Sequence, residues 1–421
     1  MTSKFSKFHE RTIEERKELI FSTSRLKKEE QQLFENEQYD QLSDQLVENA
    51  FGVMEIPLGA AVNFVVNGRE RIIPMATEES SVIAAASHGA KLTRPTGGFT
   101  ARLEESGMFS QIQILGVSDV HHAKMKILQH KQELITLAND QDPVLNQLGG
   151  GAYDITVRVL ETPPAMIIVH LHVHTLDAMG ANATNTMAEK IAPKIEKIAN
   201  GEARLRIISN LADKRLVRAF CEINKEDIGG KEVVQKIVEA CNFAKRDPYR
   251  AATHNKGIMN GITPIVLATG NDTRAVEAGA HAYASRNGYY TSLTQWEMNE
   301  AGNLTGSIEL PMAVGTIGGA TAVHPKAQAN LKILQIQSAN ELAEIIASVG
   351  LAQNLTALKA LSTEGIQKGI MKLHAKNIAL MAGAKNEEIA EVAQHLVKEG
   401  KFRSDIAEQY LTQLRGERTH G

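Results

Sequence analysis

Residues 249–274 hold the densest group of chemistry-bearing residues in the chain, and the rest of the sequence has to fold around them. Lys256 stands between His254-Asn255 and Gly257, and further on Pro264 and Gly270 bound a short apolar run from Ile265 to Ala268. A short run rich in β-branched residues and bounded by Pro and Gly reads as a buried strand, whose end delivers Asn271 and Asp272. Lys256 then lies in a Gly- and Asn-rich loop ahead of that strand, the kind of segment in which functional groups concentrate. A lysine is rarely buried without a partner, and Asp272 lies sixteen residues further on. Taken alone the pair also fits a surface lysine beside a helix-capping aspartate. The density of Asn, Gly, Thr and His around both residues favours a site.

At 421 residues the chain is too long for one ordinary domain, and two or three are expected. A net charge of −3 gives no electrostatic case for nucleic acid or an anionic membrane as partner. The two cysteines, Cys221 and Cys241, make no disulfide framework and match no zinc spacing, which fits a reducing, cytoplasmic location. Residues 1–28 are charged throughout and resemble neither a signal nor a transit peptide. No run of about 18 apolar residues occurs, so no spanning helix is expected.

In chain order, residues 10–50 read as helices on the outside of the main body, with Leu19, Ile20, Leu33, Leu42 and Leu46 as their apolar positions. Strands follow from Glu55 to Ile73, where Val62, Phe64 and Val66 alternate and Asn67-Gly68 signals a hairpin. Glu78 and Glu79 then fall in the first turn of an alanine-rich helix, where the helix dipole favours acids. The small apolar helix behind them would partly desolvate a carboxyl group.

Between about residues 107 and 212 strands (111–117, 165–175) and helices (122–137, 186–198) alternate, giving a compact α+β insertion. It holds no Gly-x-Gly-x-x-Gly, since Leu148-Gly149-Gly150-Gly151-Ala152 has the wrong spacing. Asp177-Ala178-Met179-Gly180-Ala181-Asn182, between a strand and a helix, offers small residues and free N–H groups to a pyrophosphate, a weak signal alone. His170, His172 and His174 alternate on one strand face. Such spacing can bind a metal, but no carboxylate or thiol accompanies them, so they read as a solvated or groove-facing surface and no metal is expected. Residues 338–363 form a helix opened by the capping box Ser338-Ala339-Asn340-Glu341. The last 55 residues or so are helical and charged.

His254-Asn255-Lys256-Gly257-Ile258-Met259-Asn260-Gly261, then Ala268-Thr269-Gly270-Asn271-Asp272 and Glu277-Ala278-Gly279-Ala280-His281-Ala282, closely resemble class II, bacterial-type 3-hydroxy-3-methylglutaryl-CoA (HMG-CoA) reductases. The resemblance runs from about Glu48 to Tyr410. It implies an α+β fold: a large substrate-binding domain with a central helix (1–106 and 213–365), an inserted ferredoxin-like dinucleotide-binding domain (107–212), and a C-terminal helical flap (366–421) closing over the site. It also implies a homodimer with sites shared across the interface, and no membrane anchor.

The implied reaction converts HMG-CoA to mevalonate and CoA by two hydride transfers from NAD(P)H. Lys256 would stabilise the oxyanion of the hemithioacetal, Asp272 would hold the lysine charged, and Glu79 would give a proton to the mevaldehyde oxygen. Ser81, Arg250, Asn260 and Gln353 match substrate-binding positions, and a guanidinium with amides suits the carboxylate and tertiary hydroxyl of HMG. Asp177, Met179, Gly180, Asn182 and Asn210 match cofactor positions. Asp142 stands where the family places the adenosine ribose. A carboxylate there accepts from a 2′-hydroxyl and repels a 2′-phosphate, which predicts NADH over NADPH.

One family residue is missing. The histidine of a Gly-His-Met block, which protonates the departing thiolate, is replaced in Gly369-Ile370-Met371-Lys372-Leu373-His374 by Ile370. Loss of a general acid costs roughly 10²–10⁴-fold. His374, one helical turn on, is the candidate substitute. Two readings follow: a reductase slow at releasing CoA, or a non-catalytic binder of CoA thioesters and dinucleotides. The intact Glu79, Lys256 and Asp272 favour the first. A Schiff-base enzyme built on Lys256 is disfavoured, because a neighbouring acid keeps the lysine protonated.

Overall fold

The computed structural model describes residues 7–24, 26–35, 37–104, 107–363 and 366–420, with backbone only at 37–39, 366–373 and 417–420. Among these residues ten strands form two sheets. The larger takes β1 (Leu58–Val66), β2 (Arg69–Ala76), β3 (Phe99–Leu103), β8 (Leu216–Ile223), β9 (Thr294–Met298) and β10 (Leu304–Pro311) in the order β2-β1-β3-β8-β10-β9. The smaller takes β4 (Gly107–Leu115), β5 (Gly151–Leu160), β6 (Met166–His174) and β7 (Glu202–Ile208) in the order β5-β6-β4-β7, all neighbours antiparallel. The chain leaves the large sheet at β3 and returns at its neighbour β8, so the small sheet is an insertion.

The small unit runs strand, helices, two strands, helix, strand, the ferredoxin-like order expected from the resemblance. Alternation along its strands sends Ile167, Val169, Leu171 and Val173 toward the helices, where they join Ile127, Leu134, Met187, Ile191 and Ile195 in one core. The helix expected over 122–137 is two, Val120–Gln129 and Lys131–Asn139, separated at His130.

In the large unit, helix Ala339–Ser362 packs against the sheet and against helices Val82–Thr93, Lys231–Arg246 and Pro248–Ala268. It is long and apolar enough to cross a membrane by length and composition, yet it is the core helix, with residues 345–355 buried without a break. Ser338 Oγ accepts from Glu341 N, closing half of the expected capping box; the Glu341 carboxylate accepts from Gln337 N instead of from Ser338.

Three local expectations need correction. The turn residues Asn67 and Gly68 both take positive φ, as a tight hairpin requires, but a bulge between Ala61 and Phe64 breaks the alternation of β1. Phe64 and Val66 are core and Val62 is exposed. Glu78 and Glu79 precede helix Val82–Thr93, whose cap is Ser81, and do not lie in its first turn. His170 and His172 are buried, not solvated, because Phe109 lies over both rings.

The N-terminal helices Ile13–Thr23, Lys28–Gln31 and Glu37–Leu46 agree with the reading of residues 10–50 as helical. Charge pairs bury there more than the expected leucines do: Lys17 Nζ meets Asp40 at 2.6 Å and Arg16 bonds Asp44, whereas Leu33 is exposed. The C-terminal helices Ile366–Met381, Glu387–Glu399 and Ser404–His420 share a small core of their own around Ala375, Val392, Leu396 and Leu411.

Candidate active site

Residues 248–268 form a helix, not a loop and a strand. Asp247 caps it by accepting from Arg250 N at 2.7 Å, Pro248 takes the first turn, and Pro264 lies inside. Burial of Ala251, His254, Asn255, Ile258, Met259, Ile262, Ile265 and Val266 follows steps of three and four, so the apolar stripe is helical and packing carries the helix past Pro264. Lys256 stands on the opposite, exposed stripe, with Asn260 one turn on.

The central helix Ala339–Ser362 runs alongside so closely that a Cβ on Gly261 would come within 2.9 Å of Gln353 Cβ. Gln353 is buried and, among the described residues, its Oε1 has no hydrogen-bond partner, an orphaned acceptor on the helix that packs against Gly261 and one that a substrate hydroxyl would satisfy. On the helix's other side, Gly89 of helix Val82–Thr93 meets Ala352 and Thr356 Oγ1 donates to Ala85 O at 2.8 Å. Ser81, at the end of that helix, donates to Glu79 Oε1 at 2.9 Å, joining two expected site residues. Glu79 is half-buried.

A polar network missed in the sequence fixes the register of the two long helices. Trp296 Nε1 can only donate, so at 2.8 Å it orients Asn354 with Oδ1 toward the indole. The Asn354 Nδ2 then lies 3.2 Å from His254 Nε2. Thr294 Oγ1 and Ser292 Oγ lie 2.8 Å from the same Nε2. Burial, with Arg250 nearby, pushes His254 down to about 3, so it is neutral near pH 7. A histidine beside a lysine gives no sign in sequence that it faces inward.

The Lys256–Asp272 pair is not formed among the described residues. Asp272 caps helix Thr273–Ala284 by accepting from Arg274 N at 2.9 Å and Ala275 N at 3.2 Å, and pairs with the Arg274 guanidinium at 3.0 Å. Arg250 is half-buried, burial lowers its pKa, and among the described residues its guanidinium meets no carboxylate.

On the dinucleotide side, Gly180 opens helix Ala181–Ala199 with φ +96° and lies so close to Thr175 that no Cβ would fit. Among the described residues no side chain caps this helix, which leaves its first N–H groups for a phosphate, so the cradle fits a dinucleotide. Asp177 caps the central helix, accepting from Ala339 N at 2.7 Å. Met179 and Gly180 are half-buried and Asn182 is exposed. The Asn210 carbonyl packs on the middle of helix Thr273–Ala284, since a Cβ on Gly279 would lie 2.6 Å from it.

Asp142 caps the short helix Pro143–Gln147, accepting from Leu145 N at 2.9 Å, just ahead of the triple glycine. Arg215, which sequence reading passed over, is wholly buried beneath the Asp177 loop. Burial pulls its pKa down to about 10 while the Asp177 carboxylate opposes the shift, so it stays charged near neutrality.

His170 Nε2 lies 3.0 Å from Gln111 Nε2 and His172 Nε2 lies 2.9 Å from Thr156 Oγ1, both on the small sheet away from this site. Burial lowers both histidines, His170 to about 4, which leaves them neutral. Ile370 falls within helix Ile366–Met381, but its side chain lies outside the described residues. His374 is half-buried in the same helix.

The family model described as hydroxymethylglutaryl-coenzyme A reductase matches residues 12–375. The chain belongs to the HMG-CoA reductase family. It is 50% identical over 417 residues to the HMG-CoA reductase of Archaeoglobus fulgidus, covering 99% of this chain and 95% of that protein. A probable HMG-CoA reductase of Borreliella burgdorferi is 34% identical over 386 residues, covering 88% and 85%. The class II HMG-CoA reductase of Streptococcus pneumoniae, solved bound to NADPH in open conformations, superposes with a TM-score of 0.77 at 43% identity, covering 96% of this chain and all of that one. These similarities bear out the class II resemblance and the α+β fold read from the sequence.

Proposed function

We propose that this chain reduces HMG-CoA to mevalonate and free CoA with two equivalents of a nicotinamide dinucleotide. The observation that carries the reading is the convergence of three helices. Val82–Thr93 brings Ser81 and Glu79, Pro248–Ala268 brings Lys256 and Asn260, and the central helix brings the unsatisfied Gln353. The Lys256 ammonium stabilises the oxyanion, Asp272 orients it once released from Arg274, and Glu79 protonates the aldehyde oxygen. Arg250, Ser81, Asn260 and Gln353 bind the HMG group. When bound at the cradle before Ala181, the dinucleotide supplies hydride; Asp177, Met179, Gly180, Asn182 and Asn210 shape its place.

The chain is divided into a substrate domain (1–106 and 213–365), an inserted dinucleotide domain (107–212) and a flap (366–421). The return of the chain from β3 to its neighbour β8 supports the insertion. It works in the cytoplasm as a homodimer, which would cover the exposed Lys256 stripe. Asp142 favours NADH, because its carboxylate repels a 2′-phosphate. Ile370 slows CoA release, with His374 as partial substitute, and the same residue keeps the non-catalytic binder as the second reading. Mixing the protein with HMG-CoA and either dinucleotide tests this. Two dinucleotides consumed per thiol released, with the lower KM for NADH, is expected; tight dinucleotide binding with no thiol release supports the binder.

A further inference from the structure

Two loops that belong to different parts of the site meet through one side chain. Asn271 follows the lysine helix and immediately precedes Asp272. Its Oδ1 accepts from Gly315 N at 2.7 Å and its Nδ2 donates to Gly315 O at 3.0 Å, so one carboxamide pairs with both main-chain groups of one residue, as a neighbouring strand would. Thr269 Oγ1 accepts from the same Nδ2 at 3.1 Å and keeps the amide in plane with its own loop.

The far side of Gly315 is pressed onto the dinucleotide loop. A Cβ there would lie 2.6 Å from Met179 N and 3.0 Å from Asp177 O, so only glycine allows this approach. Thr316 N donates to Asp177 O at 2.9 Å, and Ala178 pairs with Ile317 as a parallel bridge. From beneath, Arg215 Nη1 donates to Thr175 Oγ1 and Ala178 O, each at 3.1 Å, and Nη2 donates to Val314 O at 2.7 Å. An unbroken chain of short hydrogen bonds and main-chain contacts therefore runs from Asp272 through Gly315 to the N-terminus of helix Ala181–Ala199.

We propose that Asn271 is a positioning residue that sets the separation between Asp272, the group that orients Lys256, and the loop that holds the hydride donor. This rests on the functional reading above. Hydride transfer needs donor and acceptor carbons in near-attack geometry, and displacement by about 1 Å costs on the order of 10²-fold. A carboxamide donates to the C=O and accepts from the N–H of the same residue. An ionised carboxylate of the same shape accepts at both oxygens and would turn one of them against Gly315 O.

The test is Asn271→Asp in the full chain, isosteric with the native residue, beside Gly315→Ala, which strains the same junction from the cofactor side. Dinucleotide Kd is read by nucleotide fluorescence without substrate, and kcat and KM are read with mevaldehyde. Each variant is expected to weaken dinucleotide binding by about tenfold and lower kcat by about ten- to a hundredfold, leaving KM for mevaldehyde unchanged. The double variant should be no worse than the poorer single one, since both break one linkage. A wild-type Kd in Asn271→Asp, or strictly additive effects, overturns the proposal. If the wild type binds a dinucleotide but reduces neither mevaldehyde nor HMG-CoA, the functional reading fails and the Kd values alone decide the linkage. A wild type that binds no dinucleotide overturns both.

Discussion

The two halves of the site are built differently. The dinucleotide side is tied on every flank: Arg215 bonds two loops, Asn271 pairs with Gly315, and Asp177 caps the central helix. The lysine side is left with open valences. Lys256 is exposed, Asp272 is engaged by Arg274, and the Gln353 acceptor is unsatisfied. A single chain thus pre-organises the proposed place of the cofactor but not the proposed place of the substrate. On the proposed reading, substrate, the proposed flap or the second subunit of the proposed dimer completes the latter, so part of the substrate's binding energy would be spent on assembling the proposed catalytic groups.

Removing the lysine separates the halves most sharply. Lys256→Met should lower kcat for HMG-CoA by about 10²–10³-fold. Its exposed position should leave dinucleotide Kd and Tm near wild type; a large drop in Tm would mean the lysine is structural and the contrast fails. Arg215→Met should do the reverse. It removes the Arg215 donor from the Val314 carbonyl, while the Thr175 hydroxyl still donates to Ala178 O at 3.0 Å, so it should cost about 1–3 kcal/mol in urea unfolding and weaken dinucleotide binding. Arg215→Lys should rescue little, because an ammonium cannot span two loops as the guanidinium fork does.

The smallest effect concerns His254. Its folded pKa of about 3 lies below the ordinary value of 6.5, so the unfolded chain takes up the proton first. Stability from this group is intact above 6.5 and is lost as pH falls from 6.5 toward 3. His254→Gln should flatten the decline of the urea midpoint across that window; an unchanged slope would show that the buried network does not govern it.

Alternation made the small sheet legible: the residues of β6 that face the helices are the ones the pattern selects. The lysine helix was misread because Ile265–Ala268 is too short a window to separate a buried strand from a buried helix, and Pro264 looked like a boundary. The period was present over the longer stretch from Ala251 to Val266, where His254 and Asn255 occupy core positions that a hydrophobic pattern leaves out. Parity placed His170 and His172 on one face of the sheet, but nothing local says that Phe109 covers them. The residue types of the candidate site were readable; the ties made by Arg215, Asn271 and Gly315 were not, because each depends on a loop far away in sequence.

The most direct test of the central claim compares HMG-CoA with mevaldehyde as oxidant of the reduced dinucleotide, on this protein and on Ile370→His. An intact hydride site with damaged thiolate release predicts good mevaldehyde reduction and slow HMG-CoA reduction, with the histidine raising only the latter, by about 10²-fold or more. Failure to reduce either substrate, even with the histidine in place, would contradict the reductase account and leave a protein that only binds.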